Sequence, residues 1–111
     1  KDTPSGTAKK LVEVMAKSRN LDLEKDICYG RYGNLETRNK KQIRIRSERC
    51  GDVIGEHRII FSTKGEQLEL VHKASSREIF IAGALKAAKY IYKAKPGLYD
   101  MQDVLGIRQI R

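Results

Sequence analysis

The stretch Val53-Ile54-Gly55-Glu56-His57-Arg58-Ile59-Ile60-Phe61-Ser62-Thr63-Lys64-Gly65-Glu66-Gln67-Leu68-Glu69-Leu70-Val71-His72-Lys73 reads as two strands joined by a tight turn. Val53, His57, Ile59 and Phe61 alternate with Glu56, Arg58 and Ser62, the period-two pattern of a strand with one apolar face. Ile54 and Ile60 interrupt the alternation and suggest cover on both faces. Lys64-Gly65 suits a two-residue turn, and Glu66 to Lys73 is the return strand with Leu68 and Leu70 facing in. A two-residue turn fixes the register, so Phe61 faces Leu68, Ile59 faces Leu70 and His57 faces His72. Opposed side chains stand about 5 Å apart at Cβ, within reach of a bridging metal. No Cys, Asp or third His joins that face, however, and two framework histidines beneath a helix need no metal, so none is expected.

Following the hairpin, Ser75 and Glu78 have capping-box spacing and open a helix that runs to about Tyr92. Its first half, with Ile79, Phe80, Ile81, Ala84 and Leu85, is apolar nearly all round and predicts cover on more than one side. Arg77 is out of place there, because a cation in the first turn opposes the helix dipole. An anion would relieve it; so would solvent or a paired glutamate. Residues 93–96 read as a linker. The tail from Gly97 to Ile107 carries Leu98, Tyr99, Met101, Val104 and Leu105, which need a surface to pack on.

Ahead of the hairpin, a strand spans about Gln42 to Arg49, with Ile43 and Ile45 on one face and Arg44 and Arg46 on the other. Residues 34–41 form a polar, basic loop, and a short strand over residues 27–32 is bent by Gly30 and Gly33. From Thr7 to about Ser18, Ala8, Leu11, Val12, Met15 and Ala16 recur at three- and four-residue spacing, which makes a helix with one buried face. Its start, Lys1-Asp2-Thr3-Pro4-Ser5-Gly6-Thr7-Ala8, supplies candidate N-caps in Thr3 and Ser5 and a proline suited to the first helical position. The free N–H groups there, the dipole and the Thr7 hydroxyl can hold a carboxylate or phosphate; the same residues also make an ordinary capped start.

Together these elements predict an α+β fold: a mixed, largely antiparallel open sheet of about four strands with two main helices on one face. At 111 residues the chain has room for one modest core. A net charge of +9 points to an anionic partner, whether nucleic acid, a phosphorylated cofactor or a carboxylate. No apolar run is long enough for a membrane span and no signal peptide opens the chain, so a cytoplasmic protein with no membrane partner is expected. Cys28 and Cys50, far apart and without Cys-x-x-Cys spacing, agree with reduced thiols.

Three separated stretches, in order, carry a resemblance. Asp2-Thr3-Pro4-Ser5-Gly6-Thr7-Ala8, Gly51-Asp52-Val53-Ile54-Gly55-Glu56-His57, and His72-Lys73-Ala74-Ser75-Ser76-Arg77 through Phe80, Gly83 and Ala84, followed by Gly97-Leu98-Tyr99-Asp100-Met101, resemble the C-terminal part of the dihydrodipicolinate reductase family of bacterial lysine and diaminopimelate synthesis. The resemblance implies an NADH- or NADPH-dependent reductase whose N-terminal Rossmann domain is absent from this chain. It implies that residues 1–96 bind a cyclic dicarboxylate and build a homotetramer by pairing sheets, while residues 97–111 pack on the nucleotide domain. Gly6 and Thr7, with Ser5 beside them, would hold a substrate carboxylate, and Arg77 and Phe80 would lie near the dinucleotide. The family pattern His-His-x-x-Lys-x-Asp puts its catalytic histidines and lysine before Lys1, so no catalytic residue is assigned here and the fragment alone is expected to be inactive.

A different class of function, a small basic nucleic-acid-binding module, would use Arg38, Lys40, Lys41, Arg44, Arg46 and Arg49 as a phosphate-tracking stripe. Only 6% of residues are aromatic, no DNA- or RNA-reading motif is present, and Ile43 and Ile45 mark a half-buried strand rather than a stacking platform; no nucleic-acid partner is expected. A purely structural assembly role is the third reading.

Overall fold

The computed structural model describes residues 4–30, 42–48 and 51–107. The basic loop predicted at residues 34–41 lies outside these, as do Thr3, Arg49 and Cys50. The element order is α1 (Gly6–Ser18), β1 (Ile27–Tyr29), β2 (Ile43–Ile45), β3 (Gly55–Thr63), β4 (Glu66–Ala74), α2 (Glu78–Lys93) and α3 (Met101–Leu105). This is an α+β chain, and it divides into two compact units, Lys1–Gly51 and Asp52–Arg111.

In the first unit α1 buries Val12 and Ala16, four residues apart on one face, against Ile27 of β1 and Ile43 of β2. Met15, Leu21 and Ile45 border this cluster. The helix closes as a Schellman motif: Asn20 takes φ +54°, its N–H donates to the Lys17 carbonyl at 3.3 Å, and the Leu21 N–H donates to the Ala16 carbonyl at 2.8 Å. Leu21 thereby turns back onto the core it borders. Glycine takes this left-handed conformation without crowding at Cβ, so Asn20→Gly should raise stability by up to about 0.5 kcal/mol, read as an upward shift in the thermal midpoint.

Strands β1 and β2 pair in parallel, Ile27 with Ile43 and Tyr29 with Ile45. Isoleucine falls inward at 43 while Arg44 points out, as the alternation predicts. The pairing is extended at one end by the Ile43 N–H donating to the Asp26 carbonyl and at the other by Gly30 N–H donating to the Ile45 carbonyl. Gly30, at φ +78°, ends β1 there.

In the second unit β3 and β4 form the antiparallel hairpin in the predicted register: Phe61 opposite Leu68, Ile59 opposite Leu70, His57 opposite His72. The four strands are thus present, but as two two-stranded sheets rather than the single open sheet expected. Helix α1 belongs to the first unit and α2 to the second. Alternation identifies apolar faces without specifying what covers them, and this is where the expectation departs from the structure. Leu68 is 61% exposed and Ile60, expected to be covered, is exposed as well. Among the described residues Ala74 alone is buried in this unit, and α2 has no buried residue despite its apolar first half.

The tail is locally ordered. Asp100 caps α3 by accepting from the Asp103 N–H at 3.1 Å, and Asp103 returns the bond to the Asp100 N–H at 2.9 Å, a capping box that its Asp-x-x-Asp spacing announces. Tyr99 meets Tyr90 of α2 edge to face at 5.5 Å and donates its hydroxyl to the Lys95 carbonyl at 2.7 Å. Leu98, 99% exposed, stays uncovered.

Candidate functional site

The start of α1 is built around Ser5. Its backbone is extended, and its Oγ accepts from the Ala8 N–H at 3.2 Å, making it the N-cap. Pro4 therefore precedes the cap instead of taking the first helical position, which falls to Gly6. The Lys9 N–H donates to the Ser5 carbonyl at 3.0 Å, closing the first turn. Of the early donors, those of Ala8 and Lys9 are occupied. The N–H groups of Gly6 and Thr7 belong to the first turn and have no helical carbonyl to donate to.

Three features make this end receptive to an anion. Gly6 and Thr7 are exposed. Among the described residues, a Cβ built on Gly6 would meet nothing within 4 Å, so the turn is uncrowded on its glycine side. No acidic side chain occupies the first turn to neutralise the dipole. A carboxylate there could accept from both backbone donors and from the Thr7 hydroxyl. Ser5 contributes through its cap rather than through an unengaged hydroxyl aimed outward. Ser5→Ala should therefore cost about 1 kcal/mol of stability, measured by chemical denaturation, while Val14→Lys on the exposed side of the helix stays within about 0.5 kcal/mol of the parent.

The second pair of candidates stands at the start of α2. The predicted Ser75–Glu78 capping box does not form, because the helix begins at Glu78; Ser76 Oγ instead accepts from the Glu78 N–H at 3.1 Å. Arg77 holds the N-cap position without a side-chain cap bond, and its carbonyl accepts from the Phe80 and Ile81 N–H groups at 3.0 and 3.2 Å. Glu78 now supplies the acidic charge of the first turn. Arg77 and Phe80 are both exposed. Ser5, Gly6 and Thr7 are thus brought together in the first unit, and Arg77 and Phe80 in the second.

His57 and His72 are register partners, the first half-buried and the second exposed. Among the described residues no group of three or more His, Cys, Asp or Glu side chains is arranged to hold a metal. Cys28 is a free, half-buried thiol on β1. A shallow depression of about 390 Å³ lies at the open end of the hairpin, where Val53 and Ile54 meet Lys73 and Ser75. The two family-like stretches around Gly55 and Ala74, separate in sequence, are therefore joined there as paired strands.

The class that the fold defines is an α+β one: a capped helix on a short parallel strand pair in the first unit, and an antiparallel hairpin followed by helices in the second. The chain belongs to the dihydrodipicolinate reductase C-terminus family, which matches residues 1–105. Similar proteins include the 4-hydroxy-tetrahydrodipicolinate reductases of Syntrophus aciditrophicus (strain SB) and Hahella chejuensis (strain KCTC 2396), each 50% identical over 108 residues. The reductase of Nitrosomonas europaea is 50% identical over 107 residues. These alignments take in 96–97% of this chain but 40% of each relative, so the chain spans about two fifths of their length. Among the described residues no helix is long and apolar enough to cross a membrane.

Proposed function

We propose that this chain is the substrate-binding and assembly part of an NADH- or NADPH-dependent 4-hydroxy-tetrahydrodipicolinate reductase of lysine and diaminopimelate synthesis. The observation that carries the reading is the start of α1, where Ser5 caps the Ala8 N–H and leaves the exposed Gly6 and Thr7 with first-turn N–H groups and the Thr7 hydroxyl for a ligand. A carboxylate of the cyclic dicarboxylate accepts from these three donors, and the dipole favours its charge. The remaining positive charge of the chain draws a doubly anionic substrate inward.

The dinucleotide would be held mainly outside this chain, which contains no glycine-rich phosphate loop. Arg77 and Phe80 fit the edge of such a ligand: an exposed guanidinium for phosphate and an exposed ring for stacking, one helical turn apart. When bound, the nicotinamide supplies the hydride. This chain's own residues anchor and orient the substrate, and no proton donor is assigned among them. By itself the stretch would therefore bind without turnover. The uncovered apolar residues of α2, the hairpin and the tail support a homotetramer and a docked nucleotide domain, in a cytoplasmic enzyme.

The test is calorimetry of the whole reductase with pyridine-2,6-dicarboxylate, a planar mimic of the substrate. Thr7→Val leaves one carboxylate oxygen without its hydroxyl donor and should weaken binding by about 1–3 kcal/mol with the fold intact. Unchanged affinity would remove Thr7 from the site.

A further inference from the structure

Leu98 is 99% exposed, yet the turn that carries it is tied down on both sides. We propose that this turn is a preformed anchor, whose leucine enters an apolar pocket rimmed by carboxylates on the part of the reductase that lies outside this chain. The proposal rests on the reductase reading above and names the surface through which that remainder docks.

Order around an uncovered side chain is the first support. Tyr99, the next residue, is half-buried: its ring meets Tyr90 of α2 edge to face at 5.5 Å and its hydroxyl donates to the Lys95 carbonyl at 2.7 Å, closing the turn on itself. The same ring lies against Gly97, where a Cβ would stand 3.5 Å from it. Beyond Tyr99, Asp100 and Asp103 complete the capping box that starts α3. Ahead of the leucine, the ring of Pro96 fixes its own φ. Leu98 is thus held outward by its neighbours, and a side chain placed before binding loses little conformational freedom on entering a pocket.

Charge is the second support and bears on the occupant. Lys86, Lys89 and Lys93 recur at three- and four-residue spacing along one side of α2, and Lys95 follows in the turn. All four are exposed, and no Asp or Glu occurs from Ile79 to Tyr99. A basic approach to an apolar knob fits an apolar pocket with an acidic rim. It does not fit itself, because a two-fold contact between copies would set these lysines against one another. Length is the third support. The curated relatives extend for three fifths of their length beyond the stretch that aligns with this chain, so the same protein holds a domain-sized occupant.

The test replaces Leu98 in the whole reductase with the photoreactive residue benzoylphenylalanine and identifies the peptide it joins on irradiation. The expected product is a link within one chain, to a segment outside residues 1–111. A link between copies, or none, overturns the proposal. Hydrogen exchange on whole reductase carrying Leu98→Asp gives a second readout: protection of the linked segment should fall by about tenfold or more, while β3 and β4 keep theirs and show that the fold persists. Unchanged protection of that segment overturns the anchor. Lys93→Glu with Lys95→Glu should lower the yield of the link, and an unchanged yield overturns the acidic rim. Binding of pyridine-2,6-dicarboxylate by the unsubstituted protein is measured alongside. Its absence would overturn the reductase reading, whereas a link between copies with that binding intact overturns the anchor alone.

Discussion

Ala16→Asp should unfold the first unit. Ala16 is 1% exposed at the centre of a cluster that otherwise consists of Val12, Ile27 and Ile43, with Met15, Leu21 and Ile45 at its border. An aspartate there would be a buried charge, and no cation lies within that set of residues to pair with it. The penalty for such a group is about 3–5 kcal/mol. Among the described residues that core has four buried side chains, two of them on three-residue strands, and supplies little beyond that. The readout is amide hydrogen exchange: protection at Val12 and Ala16 in α1, at Ile27 to Tyr29 and at Ile43 to Ile45 should disappear together, because Ile27 of β1 and Ile43 of β2 are buried in one cluster with this helix face. Protection along β3 and β4 should persist, since those strands belong to the other unit. Val14→Lys, two residues away but at a position 57% exposed, is the control and should leave all of it unchanged. Retained protection in Ala16→Asp would mean that the cluster is not what holds α1 to the strands.

How far the sequence carries can be judged from these same residues. The face of α1 is legible because Val12 and Ala16 sit one turn apart among lysines and the three- and four-residue spacing admits one solution. The hairpin is legible for a different reason. A period of two and a two-residue turn leave a single register, and it holds at all nine paired positions. The partition of four strands into two sheets is not legible, because β1 and β2 are three residues each and their parallel pairing depends on a connection with no periodic signal. Exposure of Leu68 and Leu70 is equally hidden: an amphipathic pattern names the face that wants cover and cannot name the partner. The helix α2 makes the same point, with an apolar first half and no buried residue.

At the candidate site the local chemistry is readable and its details are less so. Pro-Ser-Gly-Thr announces a capped helix with open donors, and capping is decided within about four residues, so Ser5, Gly6 and Thr7 can be named without tertiary information. Choosing Ser5 over Thr3 as the cap, or Ser76 over Ser75 ahead of α2, depends on where the helix begins to within one residue, and periodicity does not resolve that. Arg77 is legible as a cation at the wrong end of a helix; its place at the N-cap, with Glu78 opening the first turn, is not.

Gly65→Val should destroy the register on which the hairpin depends. Gly65 has φ +89°, while Lys64 beside it does not enter the left-handed region. A β-branched side chain at that angle is strained by about 2–3 kcal/mol, although a Cβ there would touch nothing, so the penalty is purely one of backbone conformation. Elsewhere such a cost could be absorbed by packing. Here Ala74 at the far end is the one buried residue of the two strands, and near the turn the strands are linked by exposed polar contacts, Thr63 Oγ1 to Glu66 Oε1 at 3.3 Å and Gln67 Nε2 to Ser62 Oγ at 3.4 Å. Turn geometry therefore carries a larger share of hairpin stability than it would in a covered sheet. Hydrogen-exchange protection of β3 and β4 should fall by about 30-fold or more, the factor corresponding to about 2 kcal/mol. Gly65→Asn should lose less than half as much, since asparagine tolerates the left-handed region, and Lys64→Ala should change little. The same series separates two origins of the strand register. If the turn sets it, protection across β3 and β4 is highest in the parent, lower in Gly65→Asn and lowest in Gly65→Val; if protection stays level across the three chains, the strands are held together by something other than their turn.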